Sequence, residues 1–409
     1  MKKRVEERRL WLRGHLPPDQ SSKEQLRLYK NAGFNVLEMT EDFVKSESQA
    51  YLDCLKYAEE VGLNVYVCEH HEFPRYWQKH FSNVDLSAYP AVTGLYMHDE
   101  PNKDEVKELA KEYVPWFKEN YEQTGMAWFL NTYCGEVTYF QGPAADYLDF
   151  LMEVVYNQLE TDNKYLSIDE YPLRRDAAGK MYLDEREWVP YTALTAMKCR
   201  DNGVRFGAYM QTFGGEWCDC RFPNSIEELR FMAYLYLSFG AQDLGYFIYR
   251  TGSEWGFQGL ITEAGKPTDK YYLVKQLNEE LLSFDCEYLQ YNWKGALTID
   301  GERNEKPNEP FIKTREFLQY ADTEIVGVKA EKDLIVGCFE KSKTERAYTL
   351  VSYGEPTVAE GNKVELVFKT AKKLQIRRNG VMETVEIKDG KLSLEMKQGE
   401  GIFIQTITK

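Results

Sequence analysis

Residues 91–121, AVTGLYMHDEPNKDEVKELAKEYVPWFKENY, decide the fold. The run 92–98 is short, apolar and closed by turn signals, which is how a buried strand of a parallel sheet reads. It ends in Asp99-Glu100-Pro101. Pro101 disfavours the helical region for Glu100, so the chain is expected to stay extended there and to start no helix earlier. Asn102 then caps a helix predicted over 103–121, with Glu105 three residues on in a capping-box pattern. The unit is a strand, an acidic corner and a helix.

The same unit recurs on both sides. Strands are predicted at 8–13, 33–39, 63–68, 92–98, 126–131, 165–168, 204–210 and 244–249. Helices are predicted at 23–31, 49–61, 103–121, 144–159, 185–200 and 225–239, and a further one at 268–283 follows the last strand. Tyr51, Cys54, Leu55 and Ala58 share one helical face, as do Leu229, Met232, Ala233 and Tyr236. Between the third and fourth strands only a short aromatic-rich stretch, 76–81, is visible. Eight strands, seven of them followed by a helix, match the arithmetic of a (β/α)8 TIM barrel of class α/β. A doubly wound sheet would usually bring a glycine-rich phosphate loop, and neither GxGxxG nor GxxxxGK[ST] occurs.

After residue 284 the pattern changes. A polar loop at 300–310 precedes short alternating runs at 324–328, 334–339, 347–352, 363–368, 373–377, 381–387, 391–396 and 401–407. Asn379-Gly380 and Asp389-Gly390 are hairpin pairs, both residue types tolerating positive φ. No convincing long helix is read there. The expectation is a barrel over 1–290 and an all-β sandwich over 291–409.

Composition narrows the function. With 409 residues, 43% hydrophobic and 29% charged, the chain can bury a large core under an ordinary polar surface. A net charge of −15 argues against nucleic acid and anionic membranes, both of which call for basic surface. No apolar run approaches the length of a membrane span. The N-terminus carries charges without an apolar h-region, and the 8 scattered Cys form no disulfide framework, so a cytoplasmic setting is expected. All 5 His fall within the first 98 residues, and Cys218 and Cys220 lack zinc spacing, so neither metal nor cofactor is expected.

Barrel chemistry sits where strands end. The fourth strand ends in Asp99-Glu100, the fifth in Asn131, the sixth in Asp169-Glu170-Tyr171 and the seventh in Gln211. Tyr249 closes the eighth, and Trp255 lies in a Gly-flanked loop beyond it. Carboxylates at the fourth and sixth ends would converge on one cleft. Glycoside hydrolysis needs such a pair, one acid to protonate the leaving oxygen and one to attack C1 or activate water. Either acid could instead cap a helix or pair with Arg174 or Arg175. Asn131, Tyr171, Gln211, Tyr249 and Trp255 are candidate sugar contacts.

The segment 91–105, with its G-x-Y-x-x-D-E-P core, resembles the fourth-strand segment of barrel glycoside hydrolases related to the family 42 β-galactosidases. Segments 165–173 (YLSIDEYPL), 207–215 (GAYMQTFGG), 238–250 (SFGAQDLGYFIYR) and 264–284 are similar to later strands of the same largely uncharacterised bacterial group. The resemblance implies Glu100 as general acid/base and places Asp99 where related enzymes carry a sugar-binding Asn. It also implies a nucleophilic Glu at the seventh strand, where this chain has Gln211. The second carboxylate would then be Asp169, ahead of Glu170, or Glu216 in the following loop; alternatively the barrel binds carbohydrate without cleaving it. A phosphosugar lyase or aldolase is disfavoured, because no strand end carries the Lys of a Schiff base. The expected partner is an oligosaccharide or glycoside substrate, with homo-oligomer assembly left open.

Overall fold

A computed structural model describes residues 8–39, 49–68, 85–133, 142–215, 219–252 and 256–407. Eight parallel strands close a barrel: β1 (Trp11–His15), β2 (Val36–Met39), β3 (Asn64–Cys68), β4 (Val92–Asp99), β5 (Ala127–Tyr133), β6 (Lys164–Asp169), β9 (Arg205–Gln211) and β10 (Asp243–Phe247). A small antiparallel hairpin, β7 (Leu173–Arg175) with β8 (Met181–Leu183), rises from the loop after β6. β1 pairs with β2 on one side and with β10 on the other, which closes the ring. The eight strands fall where the sequence puts them, within a few residues at each end.

Helices surround the barrel. Lys23–Asn31 and Gln49–Val61 match their predicted spans, the first with Ser22 accepting from the Gln25 amide at its N-cap. Asn102 and Glu105 form the expected capping box, and the helix Lys103–Glu108 passes through a π turn, Leu109–Tyr113, into Val114–Asn120. Helices Ala144–Val154, Trp188–Asp201, Ile226–Ser238 and Asp269–Leu282 complete the layer. The aromatic stretch 76–81 lies outside the described residues.

Beyond the barrel, a six-stranded antiparallel sheet contains β11 (Asn292–Ile299), β13 (Leu334–Glu340), β14 (Arg346–Ser352), β16 (Lys373–Arg378), β17 (Val381–Glu386) and β19 (Gly401–Thr406). It faces a three-stranded sheet of β12 (Ile325–Ala330), β15 (Gly361–Phe368) and β18 (Lys391–Lys397). Val336, Tyr348, Leu350, Val364, Leu366, Ile376 and Ile404 fill the space between the sheets, so this part is a β-sandwich. Two elements were not anticipated: β11, and the helix Glu309–Phe317 that begins at the supposed polar loop.

The large sheet has two buried faces. Its outer side presents Ile335, Phe339, Ala347, Val351 and Phe403 to the barrel's own hydrophobic core, which also holds Tyr234 and Phe284. Phe284 stacks on Phe403 with ring centroids 5.1 Å apart. Burial on both faces explains why β13 and β14 read as continuous apolar runs rather than alternating ones.

Candidate active site

Inside the barrel, side chains follow the period of two. Trp11 and Arg13 of β1 point inward; Trp11 stacks on Tyr165 at 4.8 Å and meets Tyr66 edge-on. Arg13 is completely buried. Its Nε donates to Asp243 at 2.7 Å, and its Nη1 donates to Glu38. Its guanidinium lies over the Phe129 and Tyr209 rings, at 4.2 and 4.1 Å. Glu38 also accepts from the Tyr209 hydroxyl at 2.7 Å. Sequence reasoning singled out neither Arg13 nor Tyr209. The signal was an Arg sharing a face with Trp11 on a strand with no solvent-facing side.

Above this plug, β4, β5 and β6 bring their ends together. Asp99 pairs in register with Asn131, and Asn131 with Ser167. The Asp99 Oδ1 accepts from Tyr96 Oη at 2.8 Å and from Asn131 Nδ2 at 2.9 Å. Asn131 in turn accepts from the Ser167 hydroxyl at 2.6 Å. One pleat further along β6, Asp169 faces Glu100 in a hydrogen-bonding contact. Tyr171 leans in, its hydroxyl 3.4 Å from Asp169 Oδ2.

Glu100 reaches this position by an unexpected backbone. Its φ is +44°, left-handed rather than extended. Pro101 does exclude a right-handed helix there, but the amide of Glu100 is drawn to the Asn131 carbonyl at 3.0 Å, which turns the chain the other way. A non-glycine residue held in this region is a strained conformation of the kind found at functional sites.

Electrostatics follow from burial and crowding. Burial, reinforced by the Asp99 charge, raises the Glu100 carboxyl to about 7. Asp169 is pushed well above the ordinary carboxylate range by burial first, then by Glu100 and Asp99. The two acids therefore titrate as a pair that keeps a proton near neutral pH.

The remaining candidates separate clearly. Glu170 points away from the cleft, 4.0 Å from Arg174, and burial lifts it to about 8 with Arg174 opposing. Gln211 is completely buried and spent on backbone. Its Oε1 accepts from the Leu173 amide at 2.9 Å, while Nε2 donates to the carbonyls of Leu173 and Arg221 at 2.9 and 2.8 Å. It ties the loop after β6 to the loop after β9 and has no amide hydrogen left for a ligand. Tyr249 is buried in the helix layer, its ring 4.9 Å from Tyr29 and 5.4 Å from Phe34. Alternation does not carry that tyrosine to the cleft as the strand-end reading expected. Trp255, Glu216 and Cys218 lie outside the described residues, as do His70 and His71. An aromatic wall that sequence reasoning did not assemble lines the side of β9 and β10. Tyr171 stacks 5.8 Å from Phe247, and Phe213 and Phe257 pack on the same rings.

The arrangement joins an acid pair, a charged and amide-bearing wall, and an aromatic wall at the C-terminal mouth of a (β/α)8 barrel. No protein-family model matches the chain, and no curated protein sequence does. Solved structures do. Gan42B, a GH42 β-galactosidase, aligns with a TM-score of 0.57 at 9% identity over 98% of both chains. The β-galactosidase of the psychrophilic Marinomonas ef1 aligns at 0.50 and 12% identity, over 67% of this chain and 60% of its own. The chain thus spans about 60% of the length of that Marinomonas enzyme. At such identities the likeness establishes the barrel fold.

Proposed function

We propose that the protein is a glycoside hydrolase whose reacting groups are Glu100 and Asp169. The observation that carries this reading is the contact between these two carboxyls, from alternate strands, at the end of the barrel where chemistry is housed. Sharing one proton, the pair supplies both forms the reaction needs. One carboxyl passes its proton to the glycosidic oxygen as the C1–O bond breaks. The other, ionised, meets the developing positive charge at C1. A hydrogen-bonding contact is closer than the roughly 6.5–9.5 Å that inverting enzymes leave for water, which favours the retaining course, in which the second carboxylate bonds to C1 and water later releases the sugar. The aromatic wall of Tyr171 and Phe247 is suited to a sugar's apolar face, while the buried Asn131, bonded to Asp99 and Ser167, holds the strand ends beside the acid pair. The two aligned structures are of β-galactosidases, which makes β-galactosides the first substrates to try. We assign the chemistry to a barrel over 1–290 and treat the sandwich of 291–409 as its structural support.

The competing reading, a barrel that binds sugar without cleaving it, rested on Gln211. Its amide is occupied in holding two loops together, so its presence says nothing against an acid pair elsewhere.

The test is release of nitrophenol from a panel of α- and β-glycosides by wild type, Glu100→Gln and Asp169→Asn. Each substitution is expected to lower kcat/KM by about 10³-fold or more while the circular dichroism spectrum stays native. Full activity in either folded variant would remove that residue from the mechanism. Sugar binding by calorimetry with no turnover of any glycoside would establish the binding-protein reading instead.

A further inference from the structure

Glu38 stands where solvent entering the barrel mouth comes to a stop. Leu37 and Met39 of β2 pack outward among the helices, whereas Val36 lies inside the barrel, so Glu38 shares the inward face. Glu38 keeps 5% of its surface exposed, and Tyr96 and Tyr209 each keep 6%, while Arg13, Val36 and Phe129 beneath them keep none. The first three are therefore the floor of the cleft. That floor is continuous with the acid pair. Tyr96 has Tyr209 and Glu38 beside it and donates to Asp99, the neighbour of Glu100. Tyr171, beside Asp169 and Glu100, also lies near Tyr209.

The Glu38 carboxylate is held from two sides. Tyr209 Oη donates to its Oε1 at 2.7 Å, and Arg13 Nη1 donates to its Oε2. Arg13 is itself fixed, since its Nε donates to Asp243. A carboxylate accepts about four hydrogen bonds, two at each oxygen, and the donors among the described residues use one at each. Neutralising Arg13 does not account for both acids: the guanidinium carries one charge, and Asp243 is wholly enclosed with it. Glu38 differs from Asp243 in reaching the cleft, its side chain 7% exposed against 0%. Its exposed edge is a rigid pair of acceptors facing a ligand on the floor.

We propose that Glu38 is a substrate-binding residue of the glycosidase site, accepting hydrogen bonds from two neighbouring ring hydroxyls of the sugar that lies against the acid pair. Two parallel acceptors match two adjacent hydroxyl donors, whereas a sugar bearing a carboxylate or sulfate at that edge would meet the Glu38 charge. The substrate is thereby committed to a neutral glycoside. The inference rests on the acid pair being the reacting group.

The test uses nitrophenyl β-D-galactoside and its forms lacking the hydroxyl at C3, C4 or C6, with full-length wild type, Glu38→Gln and Glu38→Asp. In the wild type, removing either hydroxyl of the bound pair should lower kcat/KM by about 10- to 100-fold. In Glu38→Gln the parent glycoside should lose about 10²-fold, and the deoxy penalties should shrink to about 5-fold or less, because those hydroxyls have already lost their acceptor. Glu38→Asp keeps a charge for Arg13 and withdraws both oxygens from the cleft. It should fold even where Gln does not, as a melting curve will show, with the same flattened pattern. Nitrophenyl β-D-galacturonide should bind wild type about 10²-fold more weakly than the galactoside.

Cleavage with deoxy penalties that persist in the folded variants would overturn the proposal and leave the glycosidase reading standing, with Glu38 a partner of Arg13 alone. Calorimetric binding that shows the Glu38-dependent pattern without turnover of any glycoside would uphold the subsite and sink the glycosidase reading. A galactoside neither cleaved nor bound, or a galacturonide bound as tightly, would overturn the proposal, while the wider glycoside panel still judges the glycosidase reading.

Discussion

Glu100 combines a left-handed backbone, a following proline and a carboxyl lifted from 4.5 to about 7. The left-handed backbone and the desolvated carboxyl are both unfavourable for folding, which accords with the role proposed for Glu100 in the acid pair. For an acid whose folded value is raised, the stabilising effect is complete below the unfolded value and is lost as pH rises through the folded one. Glu100 should therefore weaken the wild type progressively between about pH 4.5 and 7, by up to about 3 kcal/mol at higher pH. Glu100→Gln removes that penalty. Its melting temperature should exceed the wild type's at pH 8 and approach it at pH 4.5; equal melting temperatures at pH 8 would mean that the carboxyl is not desolvated as described. Much of the candidate site was legible at this scale, because Asp99, Glu100 and Asp169 sit at strand ends marked by acid pairs and a following proline, and Asn131 closes the strand between them. Gln211 and Tyr249 misled because strand-end position does not tell where a side chain spends its hydrogen bonds. Arg13 was missed because nothing nearby in sequence announces its partners, which lie 25 and 230 residues away.

At the scale of elements, the helix Ile226–Ser238 shows what periodicity can and cannot read. Its start is written in a capping box, Ser225 with Glu228, and its core face in Leu229, Met232, Ala233 and Tyr236. Its opposite face is buried as well, because the six-stranded sheet lies on it. That second contact depends on a glycine. A Cβ on Gly337 of β13 would come within 2.4 Å of the Ser238 carbonyl oxygen. Gly337→Ala should cost about 1–3 kcal/mol or more by forcing sheet and helix apart, read as a lower urea midpoint. An unchanged midpoint would mean that the sheet does not bear on the helix there. The unanticipated helix Glu309–Phe317 had a readable start, Asn308 as N-cap and Pro310 in its first turn, overlooked because the surrounding polar residues suggested a loop. β11 was harder. The bulge between Trp293 and Gly295 breaks its alternation, and with it the only local signal of a strand.

For the molecule as a whole, barrel and sandwich have separate sheets but share one apolar core, in which Tyr234, Phe284, Phe339 and Phe403 are buried together. Ion pairs add to the junction, Arg377 bonding Glu287 with two nitrogens and the buried Arg221 reaching Glu355 at 2.9 Å. The two parts should therefore melt in one calorimetric transition; two resolved transitions would show that the shared core is not cohesive. The sequence shows two patterns along the chain but no sign of their union, since contacts between distant faces leave no period. The ion cluster inside the barrel brings out a different consequence, one of timing. Arg13 and Glu38 lie near the beginning of the chain, and Asp243 is made some 230 residues after Arg13. A growing chain without that aspartate cannot dehydrate the arginine without leaving part of its charge unmatched, an expense of several kcal/mol. Collapse of a partial barrel around Arg13 is thus discouraged until the eighth strand arrives. The last barrel strand to be synthesised brings the counter-charge for the first, so the interior itself distinguishes a complete barrel from a partial one.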